Sequence, residues 1–223
     1  MTFAAAYEDV PGPWGVGRVV VGDTITPWPV SQADIDDEAE SMRPRLAALG
    51  LGEGGLVLIV SLLSHTIQVN PFEKAAGQLG ALYSSSDRSP FDAYRCASLI
   101  RQLQPAVVMG IDHRVLDGLA DSGQDLHTVF ALVPAVVAVD ADAAARLRAA
   151  GLAPLRWVTL GPTSAVQPLG DDALLYDETR WEVTAVDGEL RITNLVDRLT
   201  PCDDFATGVH GDVVVPGRII LTD

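Results

Sequence analysis

The chain has 223 residues, with 15 Lys and Arg against 30 Asp and Glu, a formal net charge of −15. At 48% hydrophobic and 20% charged it has the composition of a globular protein with ample apolar material for a core. The acid excess excludes a nucleic-acid backbone or an anionic membrane surface as partner, since both need clustered cations.

Residues 1–30 read as irregular. Pro11, Gly12, Pro13, Gly15 and Gly17 interrupt any helix, Arg18–Val21 is a short strand, and Gly22–Pro29 (GDTITPWP) is a turn-rich loop. Ser31 is placed to cap a helix whose first turns carry Asp34, Asp36, Asp37 and Glu38, read as a solvated acidic start. Ile35, Ala39, Met42, Leu46 and Leu49 recur at helical spacing, and Gly50 ends the pattern. Leu56–Leu63 is a continuous apolar run, the signature of a strand covered on both faces.

The alternation then repeats. The pattern predicts a helix over Pro71–Leu79, a strand near Ala81–Ser84, and a helix over Pro90–Leu103 that begins on proline. A buried strand at Ala106–Met109 and a helix over His113–Asp121 follow. Next come a strand at Val136–Val139, a helix over Asp142–Ala150 and a strand at Arg156–Leu160. Such alternation implies crossover units on a largely parallel sheet. After Leu160 helical periodicity stops. Strands at Arg180–Val186, Leu190–Asn194 and Asp212–Leu221, with an Asp187-Gly188 turn, predict a small antiparallel subdomain or partial barrel. The expected division is an irregular segment over residues 1–30, an α/β core over 31–165 and a β subdomain over 166–223.

Fourteen of the fifteen cations are arginine, so any chemistry needing a lysine must use Lys74 or borrow one from another chain. Cys96 and Cys202 form no C-x-x-C pair and read as reduced, buried side chains. No basic leader opens the chain, and no apolar run reaches the ~18 residues of a membrane span, so the expected location is the cytoplasm.

Several segments, in this order, carry a resemblance. Ser31–Val60 is a helix and strand, followed by SLLSHTIQVNPFEKAAGQLGALYSSS and RQLQPAVVMGIDHRVLDGLA. Gly161-Pro162-Thr163-Ser164, Gly188–Leu195 (GELRITNL), Phe205–His210 (FATGVH) and Pro216-Gly217-Arg218 come after them. Over about residues 22–223 the chain resembles the adenylate-forming ligase superfamily, most closely its phenylacetate–CoA ligase branch. The four later motifs sit where that family carries Y-G-x-T-E, G-E-L-V-x-T-x-L, Y-R-T-G-D-L and the G-R before its hinge.

The departures from the family pattern shape the functional expectation. The family holds ATP phosphates in a Ser/Thr/Gly-rich loop. At the corresponding place this chain has VVVGDTITPWP, with Asp23 facing the phosphates and only Thr24 and Thr26 as donors. The family's Mg²⁺-holding Glu is replaced by Ser164, its adenine-stacking Tyr by Leu160, and its ribose-binding Asp by Val209. A valine accepts no hydrogen bond, so the ribose would lose a charge-assisted pair of about 1.5–3 kcal/mol. The chain stops at the family's hinge, and Lys74 is no substitute for the lysine that the resemblance places beyond it. No cofactor is expected: ATP, Mg²⁺ and CoA binding are all called into doubt.

His65, past the apolar strand, lies where the resemblance places the acyl or aryl pocket. An imidazole at the carboxyl end of a parallel strand can bind or transfer a proton, and the alternative is a hydrogen-bonded structural histidine. The expected pocket comprises Ser64, His65, Ser84, Ser85, Ser86, Gly161, Thr163 and Ser164. Asp87 and Arg88 are grouped with the serines as an anion-binding or helix-capping turn. The remodelled nucleotide site comprises Thr24, Thr26, Thr207, Gly208, Val209 and His210. Asp203-Asp204 would point to opposite faces of a strand. The four dispersed histidines show no metal-ligand spacing, so no metal is expected.

These readings imply a ligase-like protein without autonomous adenylation that binds an acyl or aryl carboxylate or thioester, or a partner enzyme. The alternative is a trimmed acyl/aryl-CoA ligase or acyl-transfer enzyme, completed by a second chain that supplies the lysine. Apolar surface exposed by the missing flanks predicts a homo-oligomer or a complex with another protein.

Overall fold

The structure is a computed structural model that describes residues 12–222. Pro11 and the rest of residues 1–11 lie outside the described residues. The strand expected at Arg18–Val21 is the end of a longer β1 (Pro13–Val21), and where a loop was expected β2 (Thr24–Ser31) pairs with it as an antiparallel hairpin. Its two-residue turn is Gly22-Asp23, with Gly22 at φ 56°, a position that favours glycine in tight hairpins. Counting from the turn, Pro27 and Pro29 pair with Arg18 and Val16. Both fall at non-hydrogen-bonded positions, where a missing N–H costs nothing. The prolines therefore do not break the strand.

Eleven further strands make one sheet in the order β10-β11-β12-β13-β9-β8-β7-β6-β5-β3-β4. Its parallel part consists of β3 (Leu56–Ser61), β4 (Leu82–Asp87), β5 (Val107–Ile111), β6 (Ala135–Ala138) and β7 (Leu155–Leu160). The connecting helices are α1 (Gln32–Ala48), α2 (Thr66–Gln78), α3 (Ala93–Leu103), α4 (His113–Asp121), α5 (Leu126–Phe130) and α6 (Ala141–Ala149). At β8 (Thr163–Val166) the chain turns antiparallel, and β9 (Leu174–Leu175), β10 (Trp181–Val186), β11 (Glu189–Asn194), β12 (Phe205–Val215) and β13 (Arg218–Leu221) complete the sheet. The protein is thus mixed α/β, a mostly parallel sheet with helices followed by an antiparallel portion.

β3 shows why the apolar run reads as it does. Leu58 and Val60 pack with Cys96, Val108, Val115 and Phe130 on the α3–α6 face. Val57 and Ile59 pack with Met42, Phe72, Met109 and Trp157 on the α1–α2 face. A third cluster joins Val19 and Trp28 of the hairpin to Ile35, Ile67, Leu160, Trp181 and Ile192. Cys96 and Cys202 are both free and buried, and burial pushes their thiols up to about 12 and about 11.

Several boundaries move. Helix α2 begins at Thr66, and Pro71 lies inside it. β4 runs on to Asp87, so Ser84–Ser86 lie within the strand and do not follow it. β3 ends at Ser61, and a 3₁₀ turn over Leu63–His65 follows. The single strand expected over Asp212–Leu221 is two, β12 and β13, reversed at Pro216-Gly217 with Gly217 at φ 82°. α5, β8 and β9 carry too few residues for periodicity to reveal them.

The acidic start of α1 is not a solvated face. Ser31 caps it with a reciprocal Asp34 bond, a capping box, but Asp34 and Glu38 are buried. Glu38 accepts from Thr163 Oγ1 at 3.0 Å, Trp181 Nε1 at 2.7 Å and Arg198 Nη2 at 2.8 Å. Asp37 accepts from Arg180 Nε and Arg198 Nη2, each at 2.7 Å. Only Asp36 stays at the surface, paired with Lys74. The acids face inward because the antiparallel portion brings two arginines and an indole N–H onto this helix. Removing one partner of such a buried pair strands the other charge. Glu38→Ala should therefore lower the unfolding free energy by about 3–5 kcal/mol in urea titrations, with Asp36→Ala, an exposed acid on the same helix, nearly neutral.

Candidate functional site

The strand order β4-β3-β5 reverses direction at β3, so chain leaving β3 and chain leaving β5 pass to opposite faces. In open parallel sheets this switch point opens a crevice at the carboxyl ends of the strands. A cleft of about 250 Å³ lies there. Its polar lining is His65 from the turn after β3, Arg88 just past β4, Thr159 of β7, and Thr207 of β12. Val139, Trp157, Val158 and Val209 form apolar wall, and Val20, Val21 and Gly22 of the hairpin close one side.

Arg88 is buried, at 7% exposure. Its Nε and Nη2 both donate to the Val60 carbonyl, at 3.2 and 3.1 Å, and its guanidinium lies 5.6 Å from the Trp157 ring centroid. Gly110 makes this reach possible. It sits at φ 95° at a bulge in β5, and a Cβ there would overlap the Val60 carbonyl oxygen and lie 3.1 Å from Arg88 Nη2. Burial brings the Arg88 guanidinium down to about 10, so it remains charged at neutral pH. His65 is pushed down to about 4, first by burial and then by Arg88, Arg18 and Arg114, so its imidazole is neutral.

The hairpin docks on β12 at a glycine. Gly208 has φ 71°, and a Cβ there would meet Val21 Cγ1 at 3.0 Å. Its N–H donates to Glu189 at 2.9 Å, and Thr207 Oγ1 donates to the Leu190 carbonyl at 2.6 Å. Gln68 of α2 completes the joint, donating from Nε2 to the Arg18 and Gly161 carbonyls at 3.1 and 3.3 Å.

Of the residues singled out in the sequence, His65, Thr207, Gly208 and Val209 come together here. Thr24 and Thr26 on β2 do not line the cleft, and Ser64 and His210 are exposed away from it. Ser85 and Ser86 line a separate cleft of about 400 Å³ beside α2 with Glu73, Asp87 and Arg95, and Ser84 lines neither. Gly161, Thr163 and Ser164 are buried: Thr163 binds Glu38, and the Ser164 carbonyl accepts from Arg45. Trp157, Val139 and Gly110 had no signal in the local pattern. Arg88 was visible only as part of a serine-rich turn.

Asp112, His113 and Asp140 bring ligand atoms within 4.8 Å at the ends of β5 and β6. Both carboxylates are engaged as helix caps, on Val115 N and Ala143 N, and Arg114 Nε lies 2.7 Å from Asp112. A cation there would compete with an arginine. Among the described residues, no helix is long and apolar enough to cross a membrane.

No protein-family model matches the chain, and no curated protein matches it in sequence. Solved structures do. An open conformation of 2-hydroxyisobutyryl-CoA ligase in complex with 2-HIB-AMP and CoA superposes with TM-score 0.72 at 13% identity, over 94% of this chain and 56% of that one. A long-chain-fatty-acid CoA ligase of Rhodopseudomonas palustris CGA009 gives 0.60 at 16% identity, over 93% and 58%. The Klebsiella oxytoca NpsA N-terminal subdomain, in complex with 3-hydroxyanthranilyl-AMSN, gives 0.65 at 12% identity, over 93% and 61%. The chain has the adenylate-forming ligase fold and spans little more than half of each of these structures.

Two outcomes test the site's construction. Gly110→Ala should cost about 1–3 kcal/mol from backbone strain alone, with the Val60 overlap adding to it, read by chemical denaturation. The His65 proton links folding to pH. The unfolded imidazole charges below about 6.5 while the folded one stays neutral to about 4. Stability present above pH 6.5 is therefore lost as pH falls toward 4. His65→Asn should flatten that part of the stability–pH curve, and an unchanged slope would mean that His65 is not held neutral.

Proposed function

We propose that this polypeptide binds a small acyl or aryl acid or thioester in the cleft and does not by itself adenylate it with ATP. The observation that carries the reading is the hairpin turn. Where the ligase pattern places a Ser/Thr/Gly-rich phosphate loop, this chain closes β1 onto β2 with Gly22-Asp23 alone. A two-residue turn cannot wrap a triphosphate with backbone N–H groups.

The surrounding residues support the same reading. Val209 lines the cleft at the position of the ribose-binding acid and offers no acceptor from its side chain. At the position of the T-E pair, the Thr163 hydroxyl is spent on Glu38, and Ser164 offers only a buried hydroxyl while its backbone carbonyl accepts from Arg45. A volume of about 250 Å³ falls below the range of roughly 300–1,000 Å³ usual for drug-sized ligands, which suits a small acid better than a nucleotide conjugate.

Titration calorimetry with ATP·Mg²⁺ should give no heat of binding, and pyrophosphate release should stay at background with a panel of aryl and short-chain acids. Micromolar ATP·Mg²⁺ binding would overturn the reading in favour of a ligase completed by a separate chain.

A further inference from the structure

β4 lies at one end of the eleven-stranded sheet and pairs on one side only, with β3. The Leu82 N–H donates to the Gly55 carbonyl and the Arg88 N–H to that of Ser61, so the even-numbered residues of β4 turn their main-chain groups toward β3. Those of Tyr83, Ser85 and Asp87 point away from the sheet. Side chains at the start of α3 close the carboxyl half of this edge. The Asp87 N–H donates to Asp92 Oδ2 at 2.7 Å, and Arg95 Nη2 donates to the Ser85 carbonyl at 3.1 Å. The amino half stays open: the Tyr83 N–H and carbonyl and the Ser85 N–H have no partner among the described residues.

The open edge adjoins a groove. Parallel pairing sets Tyr83, Ser85 and Asp87 beside Val57, Ile59 and Ser61, so their side chains share the α1–α2 face of the sheet. The cleft of about 400 Å³ lies on that face, walled by Thr66, Val69, Asn70 and Glu73, one stripe of α2. Leu82 and Tyr83, 62% and 52% exposed, stand on opposite faces of the strand. Two carboxylates line the groove, Glu73 and Asp87, and among the described residues neither has an ion-pair partner. Arg95, the cation in the same lining, is held by Asp92 at 3.7 Å and by the Ser85 carbonyl. Lys74, next to Glu73 in sequence, is turned to Asp36 of α1. Burial pushes the Glu73 carboxyl up, a cost that a cation brought to it would offset.

We propose that the open half of the β4 edge and this groove dock an extended segment of a partner protein, added to the sheet as a further strand and carrying lysine or arginine toward Glu73 and Asp87. Main-chain bonds to Tyr83 and Ser85 hold the segment, and its alternate side chains decide which segment fits. On one face they are cationic and meet the groove, and on the other they are apolar and cover Leu82. Charge chooses a foreign partner over a second copy. A copy of this chain brings a net charge of −15, its own Glu73 and Asp87, and a β4 strand (LYSSSD) with no cation to offer. The site is separate from the cleft that contains Arg88 and does not depend on what binds there.

The test is fluorescence anisotropy on the full chain with a labelled, end-capped Val-Lys-Val-Lys-Val-Lys peptide, at physiological ionic strength. Wild-type protein should bind it at least about tenfold tighter than the matching Val-Glu peptide. Methylating the peptide's amide nitrogens keeps its charge, removes its main-chain donors and should weaken binding at least about tenfold. Ser85→Pro removes an outward N–H, leaves the β3 ladder intact and should weaken binding likewise. Glu73→Gln combined with Asp87→Asn should weaken it about fivefold. Asp121→Asn combined with Asp142→Asn, an equal loss of charge on α4 and α6, should leave it unchanged. Thermal unfolding reports whether each variant is folded, and the methylated peptide tests the same pairing on unaltered protein. No binding of the Val-Lys peptide, binding that survives methylation, or equal loss from the two double variants overturns the site. A wild-type dimer in light scattering that Ser85→Pro converts to monomer gives the edge to a second copy and overturns the foreign partner.

Discussion

One buried carboxylate joins the two parts of this sheet. Glu38 sits near the start of α1 and takes hydrogen bonds from β8, from β10 and from the loop between β11 and β12. Its partners are 125, 143 and 160 residues away in sequence. Arg198 then stacks 5.0 Å from the Trp181 ring centroid, so cation, indole and carboxylate form one unit. A charge placed this deep gains little over a well-packed apolar residue, but once its partners are built around it, deleting it leaves them unsatisfied. The interaction therefore specifies how α1 meets the antiparallel strands more than it adds to stability.

That joint sets the walls of the cleft. α1 follows the hairpin directly, and Ser31 both ends β2 and caps the helix, so fixing α1 fixes the hairpin's base. Gln68 anchors the hairpin's first strand and the β7–β8 turn through a single amide. Close approach does the rest. Gly17 lies against Ile67 of α2 and Gly208 against Val21, two places where a Cβ would crowd a neighbouring side chain. The two-residue turn then lies against β12 at Gly208, so a stretch that looks like a loop in sequence is a wall of the cleft in the fold.

How much of this was legible depended on whether the determining contacts were local. The helix cap at Ser31, the doubly covered strand at β3 and the helix over His113–Asp121 rest on neighbours within a few residues and were readable. The hairpin was obscured by Pro27 and Pro29, whose tolerance depends on pairing register, and register is a tertiary fact. His65, Thr207, Gly208 and Val209 were legible as candidates because they follow strands or sit in a motif. Thr163 and Ser164 sit in a motif as well, but their burial against Glu38 and Arg45 comes from α1, over a hundred residues away. Likewise the acids of α1 gave no local sign of facing inward. They match arginines that the antiparallel strands deliver.

Arg88 shows the same limit from the functional side. In sequence it ends a serine-rich run and could as well cap a helix. The parallel pairing of β3 with β4 sets its backbone next to Ser61, and Gly110 leaves the space its guanidinium needs to reach Val60. A long cation in such a place has two physical uses, to be paired within the protein or to be paired by something that enters. Asp112, the nearest candidate for the first use, is held by the first turn of α4 and by Arg114. Both of its oxygens are thus spent before Arg88 can claim one. Arg88 is thus left beside an apolar cleft with no ion-pair partner among the described residues, because the acids nearest to it serve the starts of α4 and α6.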